Sequence, residues 1–409
     1  MPASGPGHEY VPFHVAAIEQ VAAAAAEPAP DPVAEPAPEP AAFFGAATAV
    51  PSHALARSGS ATIARTESSL RMGGTIQWPA MKAAVATRFG GIDAIEVVDR
   101  SEPIVDGNDV LIDVRAASLN PLDSKIREGK LKLVMRNVRP PIALGCDVAG
   151  VVSATGGDVT SIAVGDEVFA RLEKGRMGGF AERVAADASV VAKKPARCSF
   201  EEAASVPLAG LTALQALREV AALKPGQRVL IQAGAGGVGS LAIQIAKQLG
   251  LWVATTTSTK NADFVRALGA DQVVDYTKNE PLPTDLDAVF DTLGTTELES
   301  IAATKRGGTV VGIGGLPDAA FARESLPWFA RAAIPIMTMK RTRAAAAAGV
   351  SFRYLYMRPD GKQLAELASW IDAGTLEPII HATFPLAQIR DAFAELERGR
   401  ARGKIVVTI

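Results

Sequence analysis

VLIQAGAGGVGSLAIQIAKQLG, residues 229–250, opens as an apolar, β-branched run and closes as a helix. Val229 to Gln232 reads as a short buried strand. Glycines follow at 234, 236, 237 and 239. Leu241, Ile243, Ile245, Ala246 and Leu249 then recur at helical spacing until Gly250 stops the pattern. A strand, a tight glycine turn and a helix N-terminus make an anion site. First-turn N–H groups point outward there, and the missing Cβ atoms let a pyrophosphate approach. A bare GxGxxG can also be a turn that binds nothing, so its surroundings decide.

Those surroundings alternate. "WVATTT", "QVVDY", "DAVFDTLG" and "GTVVGIGG" read as further strands with helical patterns between them, which is a doubly wound parallel sheet. In that context dinucleotide binding is favoured over an empty turn. Upstream, from Lys82 to about Leu208, the pattern is β-rich with short turns: "DVLIDVRAASL", "DVAGVVSATG", "GDEVFARL". A helical segment, "SVPLAGLTALQAL", separates the two regions. The tail reads as two more helices and a closing strand that returns to the β-rich region.

The chain has 409 residues, with Lys+Arg 42 against Asp+Glu 44 and a net charge of −2. That balance offers no basic field for nucleic acid or an anionic membrane, and no apolar run approaches the roughly twenty residues of a membrane span. Two cysteines, Cys146 and Cys198, give no disulfide framework and fit a reducing cytoplasm. Residues 1–78 include the low-complexity tract "AAAAAEPAPDPVAEPAPEPAA", which cannot bury a core. Its acids and prolines argue against a secretory signal. The Arg- and Ser-rich "ARSGSATIARTESSLRMGG" leaves a targeting role open. The expectation is a disordered extension or a start assigned too early, with the fold beginning at "MKAAVATRFG".

The second nucleotide-domain strand ends "TTTSTKN", Thr255 to Asn261, without the acid that takes a ribose 2′-hydroxyl in NAD-binding folds. Ser258 and Lys260 instead suit a 2′-phosphate, with Thr259 and Asn261 on the same turn. Tyr276, in "VVDYTK", lies at the same corner of the sheet. The expected cofactor is NADPH. The competing reading makes Lys260 a solvated charge that caps the next helix.

From about Met81 to Ile409 the chain resembles the medium-chain dehydrogenase/reductase superfamily, on its GroES-like start, "AGAGGVGSLAIQIAK" and the terminal "GKIVV". Zinc-dependent members carry "GHE" where this chain has "LGCDVAG", with Cys146 and Asp147 in the matching places. No histidine falls between His53 and His381, and the cysteine-rich structural zinc loop is absent. Catalytic zinc needs three good ligands, so no metal site is expected. Within the zinc-free group the chain is most similar to the quinone oxidoreductase branch, particularly the alkenal/enone oxidoreductases. The matching pieces are "SLNPLDSKIREG", "LGCDVAGVV", "GDEVFARL", "TSTKNADFVRALGADQVVDYTK" and "AVFDTLG". The resemblance implies an α/β protein. A GroES-like catalytic domain would span 81–207, completed by about 378–409, and a Rossmann NADPH-binding domain would span 208–377. Residues 316–358 match nothing closely and are candidates to shape the substrate pocket.

The resemblance also implies roles. Lys125, on a helical turn after Asn120 and Pro121, would face both NADPH and the substrate carbonyl and stabilise an enolate oxyanion. The plain alternative is a surface lysine paired with Asp123 or Glu128. Asn120 either bonds the nicotinamide ribose or caps the turn. Thr212 would lie near the nicotinamide, and Gly236, Gly237, Val238 and Gly239 would line the pyrophosphate. Leu293, Gly312, Ile313 and Gly314 sit at carboxyl ends of strands. Arg400, Ala401, Arg402 and Gly403 would return beside the cofactor just ahead of the last strand. Cys146 reads as a buried apolar residue rather than a nucleophile. "VSFRYLYM" is either an edge strand that pairs with its twin in a homodimer, the preferred reading, or pocket wall. The expected activity is NADPH-dependent reduction of the C=C bond of enones and enals, and of quinones. The alternatives are a quinone reductase proper, a non-catalytic NADPH-binding protein like the crystallins of this superfamily, or a chain whose extension is a docking arm.

Overall fold

The computed structural model describes residues 80–409 apart from 133, 136 and 137. The expected extension over 1–78 lies outside the described residues.

The first lobe is a seven-stranded sheet with a small three-stranded sheet beside it. Asp109–Ser118 is the hub of the larger one, flanked by Asp147–Thr155 and by the last strand, Lys404–Thr408. Asp147–Thr155 pairs in turn with Glu167–Arg171. Side chains alternate faces along a strand, and the burial follows. Val148, Val168 and Ala170 fill the lobe's own core. Ala116, Ala149 and Phe169 face the core beneath the nucleotide sheet. Ser118, Asp147 and Arg171, each two residues from one of these, are therefore aimed at the junction of the lobes.

The second lobe holds six parallel strands: β1 Arg228–Ile231, β2 Trp252–Thr257, β3 Gln272–Asp275, β4 Leu286–Asp291, β5 Thr304–Gly312 and β6 Ser351–Tyr354. They lie in the order β3-β2-β1-β4-β5-β6. Both faces of this sheet are covered, with Val229, Ile231 and Val253 in one core cluster and Leu230, Ala254, Val289 and Val310 in another. That is why "VLI" and "AVF" read as unbroken apolar runs rather than alternating ones. The strand order reverses between β1 and β4, where such sheets open a crevice for ligands.

Two departures from the sequence reading stand out. The tail contains a further strand, Ile380–Pro385, parallel to the last one. It is an edge strand whose alternate residues stay exposed, so it lacks an apolar signature. Residues 316–358 fold into three helices before β6, Ala319–Ser325, Trp328–Met337 and Met339–Ala348, the first two around a small core of Leu316, Ala322, Leu326, Ala330 and Ile334. Among the described residues no helix is long and apolar enough to cross a membrane.

Candidate active site

The glycine turn links β1 to the helix Gly237–Gln248, with Gly236 at its N-cap. Packing, more than flexibility, demands these glycines. A Cβ on Gly239 would stand 2.3 Å from the Ala233 carbonyl oxygen, and one on Gly234 would stand 2.1 Å from Thr255 Oγ1. The first-turn N–H groups have no intrahelical acceptor and point into the crevice. Gly403 comes alongside, its N–H donating to the Ala235 carbonyl at 3.0 Å and its backbone bridging Gly236. The 400–403 segment is thus brought to the turn.

At the far corner Ser258 precedes a short turn, Thr259–Asn261. The Thr259 hydroxyl is committed to Asp275 Oδ2 at 2.5 Å. Asp275 also accepts from Thr277, and these hydrogen bonds hold its carboxyl far below the usual range. Arg402 donates from Nη2 to Asn261 Oδ1 at 2.8 Å and lies across the Phe264 ring. An open cleft of about 340 Å³ is lined by Lys260, Asn261, Ile379, Ile380, His381, Arg400 and Arg402. Three cations and no carboxylate line it. Tyr276 stands exposed on the turn after β3. A cradle that Cβ atoms would fill, with a cationic corner beyond it, fits a dinucleotide bearing a 2′-phosphate.

Between the lobes lies a buried polar hub. Asp147 accepts from Asn120 Nδ2 at 2.9 Å, Ser118 Oγ at 3.2 Å and the Leu208 N–H at 3.0 Å, and pairs with Lys404 at 3.6 Å. The Lys404 ammonium also donates to Asn120 Oδ1 and the Leu119 carbonyl. Asn120 therefore spends its side chain inside the hub. Its N–H donates to Asp123 Oδ2 at 2.8 Å, anchoring the helix Pro121–Arg127. Burial lifts the Asp123 acid to about 6; its bond from Asn120 opposes that lift, and the nearby Asp147 charge adds to it. Burial likewise pushes the Cys146 thiol well up, so it is no ready nucleophile. Among the described residues no group of three or more His, Cys, Asp or Glu is placed to hold a metal ion.

Lys125 rides the same helix, half-buried. Neither carboxylate named as its plain partner takes it: Glu128 pairs with Lys130 at 2.6 Å, and Asp123 faces Asn120. Burial, helped by the neighbouring Lys130, holds the Lys125 ammonium below its ordinary value. Thr212 is buried, its hydroxyl donating to the Leu208 carbonyl at 2.6 Å one turn above the Asp147 contact. The loops after β4 and β5 pack together, a Cβ on Gly314 lying 2.9 Å from the Leu293 carbonyl oxygen, with Ile313 partly buried between. Gly312 instead faces the Phe352 ring and supports β6. Three residues beyond the sequence candidates gather nearby: Arg171, Lys174 and Tyr356. The alternation of "EVFAR" was the available signal for Arg171, since it puts a guanidinium on the face of Phe169.

A family profile described as "Alcohol dehydrogenase GroES-like domain" matches residues 106–196, and one described as "Zinc-binding dehydrogenase" matches 268–407. The chain is 35% identical over 340 residues to the 2-methylene-furan-3-one reductase of Solanum lycopersicum, spanning 80% of this chain and 79% of that one. Identity and coverage are the same for the chloroplastic NADPH-dependent alkenal/one oxidoreductase of Arabidopsis thaliana. The structure of the quinone oxidoreductase from Coxiella burnetii superposes with a TM-score of 0.70 at 34% identity, covering 81% of this chain and all (100%) of that one.

Proposed function

The chain belongs to the quinone oxidoreductase branch of the medium-chain dehydrogenase/reductases, and from that premise we propose that it reduces the C=C bond of α,β-unsaturated carbonyl compounds, and quinones, with NADPH and without zinc. The relatives' names support the substrate class and the cofactor. The observation that carries the mechanism is Lys125, a half-buried ammonium that no carboxylate holds at ion-pair distance among the described residues.

Bound NADPH supplies the hydride. The chain's part is placement and charge. Asp123 and Asn120 anchor the N-terminus of the helix bearing Lys125, and Asp147 and Lys404 lock Asn120 in turn. Lys125 then receives the substrate's carbonyl oxygen. Negative charge on that oxygen grows as the β-carbon is reduced, so a fixed cation there favours the transition state over the ground state. Conjugation draws the hydride, which is why no Lewis acid is needed, and solvent protonates the α-carbon. Two free, buried cysteines support placing the protein in the reducing cytoplasm.

Kinetics with Lys125→Met test this. The stem keeps its bulk and loses its charge, so kcat for an enone should fall roughly 10²-fold, as for loss of one oxyanion donor. NADPH affinity should change much less. With deuterated nicotinamide, label should appear at the β-carbon; label at the carbonyl carbon would mean alcohol formation and would overturn the reading.

A further inference from the structure

The hub contains one cation that no carboxylate bonds among the described residues. Arg171 is 4% exposed, and its Nε is buried with no hydrogen-bond partner. Its Nη1 donates to the neighbouring Leu172 carbonyl, and no carboxylate lies within ion-pair distance of the guanidinium among the described residues. The carboxylate across the ladder, Asp147, is already saturated by Asn120, Ser118, Leu208 and Lys404. Asp123 and Asp147 act on Arg171 only through space. Burial works against this cation and the through-space pull of its acidic neighbours outweighs that, so it stays charged, and an anion that reaches it gains the attraction of a weakly screened site.

Tyr356, just past β6, feels the Arg171 charge through space, yet is 44% exposed. The Lys174 ammonium sits 5.3 Å from the Tyr356 ring, and Phe321 packs on the same ring at 5.5 Å. Aromatic rings and a second cation thus gather on the side of the hub where an approach to Arg171 would open. Two of these residues, Tyr356 and Phe321, come from the 316–358 segment, and Tyr354 of the same segment also packs on Phe321.

We propose that Arg171 is a substrate-binding residue, and that the enones this site prefers carry a carboxylate, which Arg171 binds with Lys174 beside the approach. The inference rests on the enone-reductase reading above. It assigns Lys125 to the reacting carbonyl and Arg171 to the remote anionic end.

The test compares (E)-4-oxopent-2-enoate with its methyl ester under NADPH. The acid should have the higher kcat/KM in the wild type. Arg171→Gln should lower the acid's kcat/KM by roughly 10- to 100-fold, the range for losing a hydrogen bond to a charged group, and the ester's far less. Arg171→Lys should restore part of the loss. Equal falls for acid and ester, or a wild-type preference for the ester, would overturn the proposal. If the wild type reduces neither compound nor any other enone, the enone-reductase reading fails instead. The carboxylate site is then decided by binding of 4-oxopentanoate to the NADPH complex, read by nicotinamide fluorescence. Binding weakened by Arg171→Gln upholds it, and unchanged binding overturns it.

Discussion

Lys260 and Arg402 are separated by 142 positions in sequence yet line one cleft, and Arg402 also holds the Asn261 side chain in place. A charge-assisted contact contributes about 1.5–3 kcal/mol, so Lys260→Ala or Arg402→Ala should raise the KM for NADPH roughly ten-fold or more. The KM for NADH should barely move. A variant that keeps its full preference for NADPH would remove that residue from the 2′-phosphate corner. Asp123 allows a second test at this scale. Its acid is lifted from 3.8 to about 6 by burial, so ionising it works against the fold. The stability tied to its protonated form is complete below pH 3.8 and lost as pH rises through 6. Holding it that far up corresponds to about 3 kcal/mol. Asn cannot ionise and still offers an acceptor to the Asn120 N–H. Relative to wild type, Asp123→Asn should therefore melt higher at pH 8 than it does at pH 5. A difference in Tm that is the same at both pH values would show that Asp123 does not titrate there.

The glycine turn makes its prediction as an element. A methyl on Gly239 has nowhere to go at 2.3 Å from the Ala233 carbonyl oxygen, and overpacking of this kind costs about 1–3 kcal/mol. Gly239→Ala should lower Tm and weaken NADPH binding together, whereas Gly157→Ala, with nothing within 4 Å of its Cβ position, should do neither. Parallel changes in both variants would refute the packing argument. The turn was legible because strand, glycines and helix are contiguous from Val229 to Gly250. The place of Ser258 and Lys260, just after β2 where an acid would otherwise stand, was legible in the same way. Arg171 and Lys404 were not singled out, because their roles come from pairing across strands: Lys404 meets Asn120 from 284 positions away. The strand Ile380–Pro385 escaped for a related reason, since an edge strand half open to water carries little apolar pattern.

At the scale of the whole molecule, β6 is the free edge of the nucleotide sheet, yet part of that edge is already covered. The Tyr354 N–H donates to Asp318 Oδ2 at 2.9 Å, which leaves less of the strand open to a second copy. If two copies do join through β6, Asp318→Ala should strengthen their association. Light scattering across a concentration series should then show the dimer at lower concentration than in wild type. An unchanged mass would exclude this edge as the interface. The other long-range feature is the way the final residues close the structure: Gly403 on the glycine turn, Lys404 in the hub, and Val406 to Thr408 on the strand Asp109–Ser118. Synthesis runs from the N-terminus, so a nascent chain builds most of the parallel sheet long before these residues leave the ribosomal exit tunnel. Until then the crevice has its glycines but lacks one wall. Removing residues 400–409 should therefore leave the glycine turn without that wall, and NADPH binding read by nicotinamide fluorescence should fall sharply in the shortened protein.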